Sequence, residues 1–290
     1  LRAVAAPSGS GDFTEDALSP MFALYRESAA FRQQTAQLAD EGSPCLHVEK
    51  RGGFPFSTYR VLVDTCELDV STNVAGASVT AGDAQTESVP VESADIADSA
   101  GYTPDASNLV RAEAKFDALY PGLYDLDISY TSSAGQSFEK STSVNLMQPT
   151  QLSLDLDYTS LYVWNSSSIS VDLSIDGAYY TTLSAGSSLQ LSPLHADSVV
   201  TASCKTDAGE VLTDSVPAAN RSFEVLFSLG TVDVYNDYDS EMDVQLNGAD
   251  CCVIPAKTLQ TLSGISVDST LSFSLADFDI FRPYDYSLSY

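Results

Sequence analysis

Two histidines, five cysteines, one tryptophan and a short acidic run are the residues of this chain whose chemistry could be more than structural. His47 lies beside Val48 in an alternating apolar pattern, and His195 lies at a turn. Neither has a nucleophile set in a strand–turn–helix context, so both read as structural histidines. Zinc needs Cys and His ligands gathered at short spacing; Cys251-Cys252 with a distant His195 does not supply that. Asp237-x-Asp239-x-Glu241 resembles the first half of a calcium loop. A full loop also needs a glycine at its sixth position and a bidentate Glu at its twelfth. Asp243 and Gln245 do not complete it, and the run reads as a solvated turn. Trp164 reads as core packing, with an exposed aromatic platform for sugar as the alternative. Tyr179-Tyr180 and Tyr284, Tyr286 and Tyr290 could extend such a platform. No glycine-rich phosphate loop is visible. The catalytic, cofactor and metal assignments are therefore all none, and the chain reads as a non-enzyme.

Cysteine usage is sparse. Positions 45, 66, 204, 251 and 252 are an odd number, so at least one thiol is free or pairs with another molecule. Cys45 and Cys66 both fall in strand patterns and could meet. The reading for them is a pair of buried thiols, because free cysteine packs as a small hydrophobe. In Cys251-Cys252, strand alternation places one side chain on the buried face and the other on the wet face.

Charge narrows the partners. Lys and Arg number 13 against 40 Asp and Glu, a net charge of −27. Nucleic-acid binding needs basic side chains to release counterions from phosphate, so nucleic acid is excluded. Anionic lipid head groups and phosphate polymers are repelled in the same way. The apolar share is 44% and the charged share 18%, enough to build a core. No stretch reaches the roughly 18 apolar residues of a membrane span, and the start, LRAVAAPSGSGDF, lacks the apolar run of a signal peptide.

The first twelve positions are rich in Ala, Gly and Ser and read as a flexible lead. From Phe13 to about Glu41 the pattern is helical, with Pro20 in a first turn or as a break, and an end near Gly42 and Pro44. After Pro44 nearly everything alternates with period two. The runs are Leu46 to Val48, Tyr59 to Val63, Leu68 to Val70, Ala112 to Phe116, Tyr124 to Tyr130 and Ser137 to Leu146. Thr86 to Leu109, acidic and broken by Pro90 and Pro104, reads as an irregular excursion.

Residues 152–200 laid on 223–271 agree without a gap. Ten positions are identical, among them Val163, Asn165, Asp172, Gly177 and Leu191 with Val234, Asn236, Asp243, Gly248 and Leu262. Composition alone would yield about three or four. Leu152, Leu154 and Leu156 become Phe223, Val225 and Phe227, so the apolar register is kept. Asp176-Gly177 and Asn247-Gly248 predict the same two-residue hairpin in each copy. Weaker echoes lie upstream: Tyr124 to Gly135 matches Val199 to Gly209, and Leu68 to Gly82 matches the strand–Asn–strand–Gly segment. The expected fold is mainly β, tandem small antiparallel sandwich or barrel modules preceded by a short helical segment. Its parts are residues 1–44 (lead and helices), 45–150 (β domain with the excursion), 151–222 (repeat 1) and 223–290 (repeat 2).

Tyr59-Arg60-Val61, Thr72-Asn73 and Pro121-Gly122-Leu123-Tyr124 resemble the second extracellular domain of the TcaA/YvbJ family. Residues 14–39 resemble the tail of that family's first extracellular domain, and 152–290 its following β modules. The family consists of membrane-anchored envelope proteins of Gram-positive bacteria, linked to the response to glycopeptide antibiotics. The resemblance implies an extracytoplasmic, cell-surface location, anchored by an N-terminal membrane helix not present in these residues. It also implies binding or spacing at the cell wall, with a wall glycan or peptide or an envelope protein as partner. The family's zinc ribbon and its mixed α/β C-terminal domain have no counterpart here. Gly76-Ala77-Ser78-Val79 fits the competing resemblance, to small PEGA-type surface modules. The alternative function is an adhesin-like or structural stalk built of β modules.

Overall fold

A computed structural model describes residues 19–41, 45–51, 58–91, 101–206, 209–275 and 286–287. The molecule is mainly β, in several small sheets, with a short helical segment near the start. The helices are α1 (Ser19–Glu27) and α2 (Ala29–Glu41). Pro20 sits in the first turn of α1, where its missing N–H costs nothing. The break falls at Ser28, whose Oγ accepts the Phe31 amide at 3.0 Å and so caps α2. Phe31 is the buried anchor of this segment.

The chain forms two compact units, residues 1–98 with 104–158, and residues 99–103 with 159–290. In the first unit, β1 (Leu46–Arg51) and β2 (Thr58–Val63) make a hairpin. Then follow β3 (Cys66–Thr72), β4 (Ser78–Ala81), β5 (Ala84–Glu87), β6 (Val89–Pro90), β7 (Ala112–Leu119), β8 (Gly122–Thr131), β9 (Ser137–Leu146) and β10 (Thr150–Ser153). One sheet has the order β10-β3-β7-β6 and the other β5-β4-β8-β9. β8 alternates buried and exposed at every position, as the period-two pattern requires. Leu68, Val70, Leu126, Ile128 and Leu146 fill the space between the sheets. α1 lies against the start of β8: a Cβ on Gly122 would stand 2.7 Å from the Pro20 Cβ, so only glycine allows this approach.

The second unit contains β11 (Thr159–Asn165), β12 (Val171–Ile175), β13 (Ala178–Leu183), β14 (Ser188–Leu194), β15 (Val199–Lys205), β16 (Val211–Pro217) and β17 (Ser222–Val225). These form sheets β14-β11-β17 and β13-β12-β15-β16. The second copy contributes β18 (Leu229–Tyr235), β19 (Met242–Leu246), β20 (Ala249–Ile254), β21 (Leu259–Ser266), β22 (Thr270–Leu275) and β23 (Tyr286–Ser287). Register repeats at the offset of 71: Val171 faces Leu183 and Met242 faces Ile254, with the same bulge three residues on. Asp176-Gly177 and Asn247-Gly248 take the same left-handed turn, with φ of 51° and 82° in one and 51° and 80° in the other. Glu210, at the turn after β15, accepts Asn247 Nδ2 at 3.0 Å and Ser269 Oγ at 2.9 Å, which ties one copy to the next.

The first unit holds the same strand order, with β3, β4, β5, β7, β8, β9 and β10 in the places of β11 to β17. The upstream echo is visible in its turns. Gly135 N–H donates to Ser132 and Gly209 N–H to Thr206, both at 2.9 Å. The period begins one strand earlier in sequence than in space. Leu154 and Leu156 pack in the first unit's core, and β17 pairs with β11, so the first strand of each period closes the module before it.

Two cysteine expectations are corrected. Cys45 and Cys66 form a disulfide, because the β1–β2 hairpin returns the chain to within 5.6 Å between their Cα atoms. Cys251 and Cys252 do not divide into one buried and one wet thiol; both are half-buried. Val244 faces Cys252 and Gln245 faces Asp250, which leaves Cys251 as the extra residue of a bulge. A bulge breaks the alternation on which the expectation rested.

Tyr124 and Tyr130 lie on the inner face of β8, and burial pushes both phenols up to about 12. Tyr124 donates to the Tyr120 carbonyl at 2.6 Å, and Tyr130 to Asp105 Oδ1 at 2.8 Å. Both groups are protonated in the folded protein at pH values where an unfolded tyrosine, near 10, would ionise. Their contribution is therefore complete below about pH 10 and is lost as pH rises through about 12. Tyrosinate absorbance should show Tyr124 and Tyr130 among the late-titrating phenols, ionising together with loss of the first unit's circular dichroism. Ionisation of Tyr124 and Tyr130 themselves near pH 10 in the folded protein would contradict this.

Candidate functional site

β11 presents the most distinctive surface of the second unit. Leu161 and Val163 point inward and are fully buried, so Tyr162 and Trp164 must point outward. Tyr162 is 49% exposed and Trp164 46%. The expectation of core packing for Trp164 is corrected by this alternation: the inward positions of its strand are already taken.

The neighbours on this face follow from register. Tyr162 lies between Gln190 on β14 and Ser222 on β17, and Trp164 between Ser188 and Glu224. A further segment joins beyond β14. Tyr102 bridges to Gln190, the Gln190 amide donates to the Gly101 carbonyl at 2.8 Å, and Thr103 Oγ1 donates to the Ser192 carbonyl at 2.7 Å. Paired residues of adjacent strands share a face, which puts Tyr102, 52% exposed, in line with Gln190 and Tyr162. With strands about 4.8 Å apart, the Tyr102 and Tyr162 backbones stand roughly 10 Å apart, and Trp164 lies about 7 Å along the strand from Tyr162. The result is a flat face of three rings, with the Gln190 amide and the Ser188 and Ser222 hydroxyls between and beside them. Large exposed aromatics grouped on one face mark binding surfaces. Their rigid rings give contact area at little entropic cost.

The second copy does not reproduce it. Asp233 stands for Tyr162, Tyr235 for Trp164 and Thr261 for Gln190, and Thr261 Oγ1 donates to Asp233 Oδ1 at 2.7 Å. Sequence reading named Trp164 and its alternative role but missed Tyr102 and Tyr162. Tyr102 lies in the excursion, 88 residues from Gln190, and nothing local signals that it joins this sheet.

The other candidates are dispersed. His47 is opposite Leu62 in the β1–β2 hairpin, and His195 follows β14 directly, its carbonyl accepting the Ser198 amide at 3.1 Å. The Asp237 and Asp239 carboxylates are answered from within the protein: Lys257 Nζ lies 3.3 Å from one and 3.5 Å from the other, and donates to the Asp237 carbonyl at 2.6 Å. Among the described residues, no group of three or more His, Cys, Asp or Glu could hold a metal. Cys204 is buried and its thiol pushed up, chiefly by burial. Tyr179 is exposed on β13, away from β11. Tyr284 and Tyr290 lie outside the described residues.

No family model and no curated protein sequence matches this chain. Among solved structures, the Bacillus anthracis TIE protein is similar at 8% identity over 84% of this chain and 55% of its own, with a TM-score of 0.26. A Ca2+-stabilized adhesin that helps an Antarctic bacterium bind ice is similar at 10% identity, over 82% of this chain and 79% of its own, with a TM-score of 0.14. The chain thus spans about half the length of the first of these. No helix among the described residues is long and apolar enough to cross a membrane.

Proposed function

We propose that this chain is the non-catalytic, extracytoplasmic part of a membrane-anchored envelope protein of the TcaA/YvbJ kind, and that it binds a neutral glycan of the cell wall. The observation that carries the reading is the outward face of Tyr102, Tyr162 and Trp164. Flat rings stack on the apolar faces of sugars, and the Gln190, Ser188 and Ser222 side chains meet their hydroxyls. A net charge of −27 disfavours teichoic acids and other phosphate polymers, which leaves uncharged glycan as the wall component of matching chemistry. The Cys45–Cys66 disulfide supports an oxidising compartment.

The test is direct because Trp164 is the only tryptophan. Titration with soluble, teichoic-acid-free wall glycan should shift its fluorescence. Tyr162→Ala should weaken binding by about tenfold or more, as loss of a central aromatic contact does, with circular dichroism unchanged. Co-sedimentation with wall fragments should fall in parallel for Trp164→Ala. If neither glycan nor wall fragments associate with the native chain, the reading fails. The tandem copies would then favour the second reading, an adhesin-like stalk whose modules act as spacers.

A further inference from the structure

Two of the three modules close one sheet with a strand that arrives after the rest of the module and pairs parallel to its first strand. β10 pairs with β3, and β17 with β11. The closing strands carry apolar residues at alternate positions: Leu152, Leu154 and Leu156 in one, Phe223, Val225 and Phe227 in the other. The join is strongly made. The Tyr162 amide donates to the Arg221 carbonyl at 3.0 Å and the Ser166 amide to the Val225 carbonyl at 2.9 Å. Asn73 clasps the Leu156 backbone from both sides, donating to its carbonyl and accepting its amide, each at 2.9 Å.

The third module has no such strand among the described residues. β18 pairs with β21 on one edge, and among the described residues its sheet has two strands where the corresponding sheets of the other modules have four and three. The core beneath is correspondingly open. Leu161 and Val163 are 0% exposed under β17, whereas their counterparts Val232 and Val234 are only half-buried. Tyr286 and Ser287 pair with Leu271 and Thr270 as Val216 and Pro217 pair with Val200 and Val199, an offset of 70. The counterpart of Ser222–Val225 therefore falls at positions 292–295, outside the 290 residues.

We infer that the edge of β18 left unpaired among the described residues is the seat of a seventh strand, an extended stretch of this protein's own polypeptide following β23, with large apolar residues at alternate positions. It joins parallel to β18, as β17 joins β11. Strand addition of this kind takes its affinity from main-chain hydrogen bonds and its specificity from alternate side chains. Here the side chains cover Val232 and Val234, and the amides of Asp233 and Asp237, the counterparts of Tyr162 and Ser166, receive acceptors. The inference does not depend on the aromatic face of β11.

The test appends the octapeptide of residues 221–228, RSFEVLFS, directly after Tyr290, which places its first serine at position 292. A control appends the same peptide with its two phenylalanines and its valine replaced by serine. Hydrogen exchange at the Asp233 and Asp237 amides should slow by about tenfold or more with the first tail and stay unchanged with the second. The free octapeptide, added at about ten times its Kd, should slow the same two amides by about tenfold. Equal exchange with both tails, or protection confined to other sites, would overturn the inference. So would concentration-dependent protection of these amides in the 290-residue chain alone, because the occupant would then be a second copy.

Discussion

Replacing Asn165 by alanine is expected to destabilise the second unit by about 3 kcal/mol. Asn165 is fully buried at the end of β11. Its Nδ2 donates to the carbonyls of Ile169 at 2.8 Å and of Leu183 and Ser184 at 3.1 Å, and its Oδ1 accepts the Ser167 amide at 3.0 Å. Alanine leaves all four backbone groups without this partner, two of them in buried bonds, and each unmade bond costs about 1 kcal/mol or more. Asn236 makes the same four bonds 71 residues on, to Ser240, Ile254, Pro255 and Tyr238. Asn236→Ala should cost a similar amount. Asn165→Asp should be worse than alanine, because a carboxylate would face three carbonyl oxygens with no proton to offer. Urea unfolding of the three variants checks this; a loss under 1 kcal/mol for Asn165→Ala would show that the network is incidental.

Breaking the Cys45–Cys66 bond is expected to cost the first unit about 3 kcal/mol. The bond closes a loop of 21 residues, and the chain entropy it removes from the unfolded state scales with the logarithm of that length. Both sulfurs belong to residues 1% exposed within the first unit's core, so native reduction should be slow and should follow unfolding. Cys45→Ala/Cys66→Ala should lower the thermal midpoint of the first unit and leave the second unit's transition in place, since the two are separate compact units. Calorimetry with and without reductant reads this directly. An unchanged first transition in the double variant would refute it.

Much of the architecture is local, and the sequence alone determined it. Period-two alternation places β1, β2, β3, β7, β8 and β9 on the runs expected, because a strand with one wet face must alternate. Asp176-Gly177 and Asn247-Gly248 specify their hairpins because these residues accept positive φ. The ungapped offset of 71 carries through to register, bulge and the asparagine network, because a slip of one residue would turn every apolar side chain outward.

What tertiary structure alone decided is non-local. The Cys45–Cys66 pairing depends on a hairpin bringing distant positions together, which no spacing rule contains. Parallel closing strands such as β17 need no tight turn to announce them, so their partner is set by which sheet edge lies open. The bulge that makes both Cys251 and Cys252 half-buried is an event of pairing, invisible in a run of residues. Trp164 faces outward because Leu161 and Val163 already fill the core, and Tyr102 joins its face by pairing with β14 from far upstream. Alternation fixes which residues of a strand share a face; only the assembled sheets decide which of those faces lies against the core, which lies in water, and which side chains from elsewhere in the chain stand beside it.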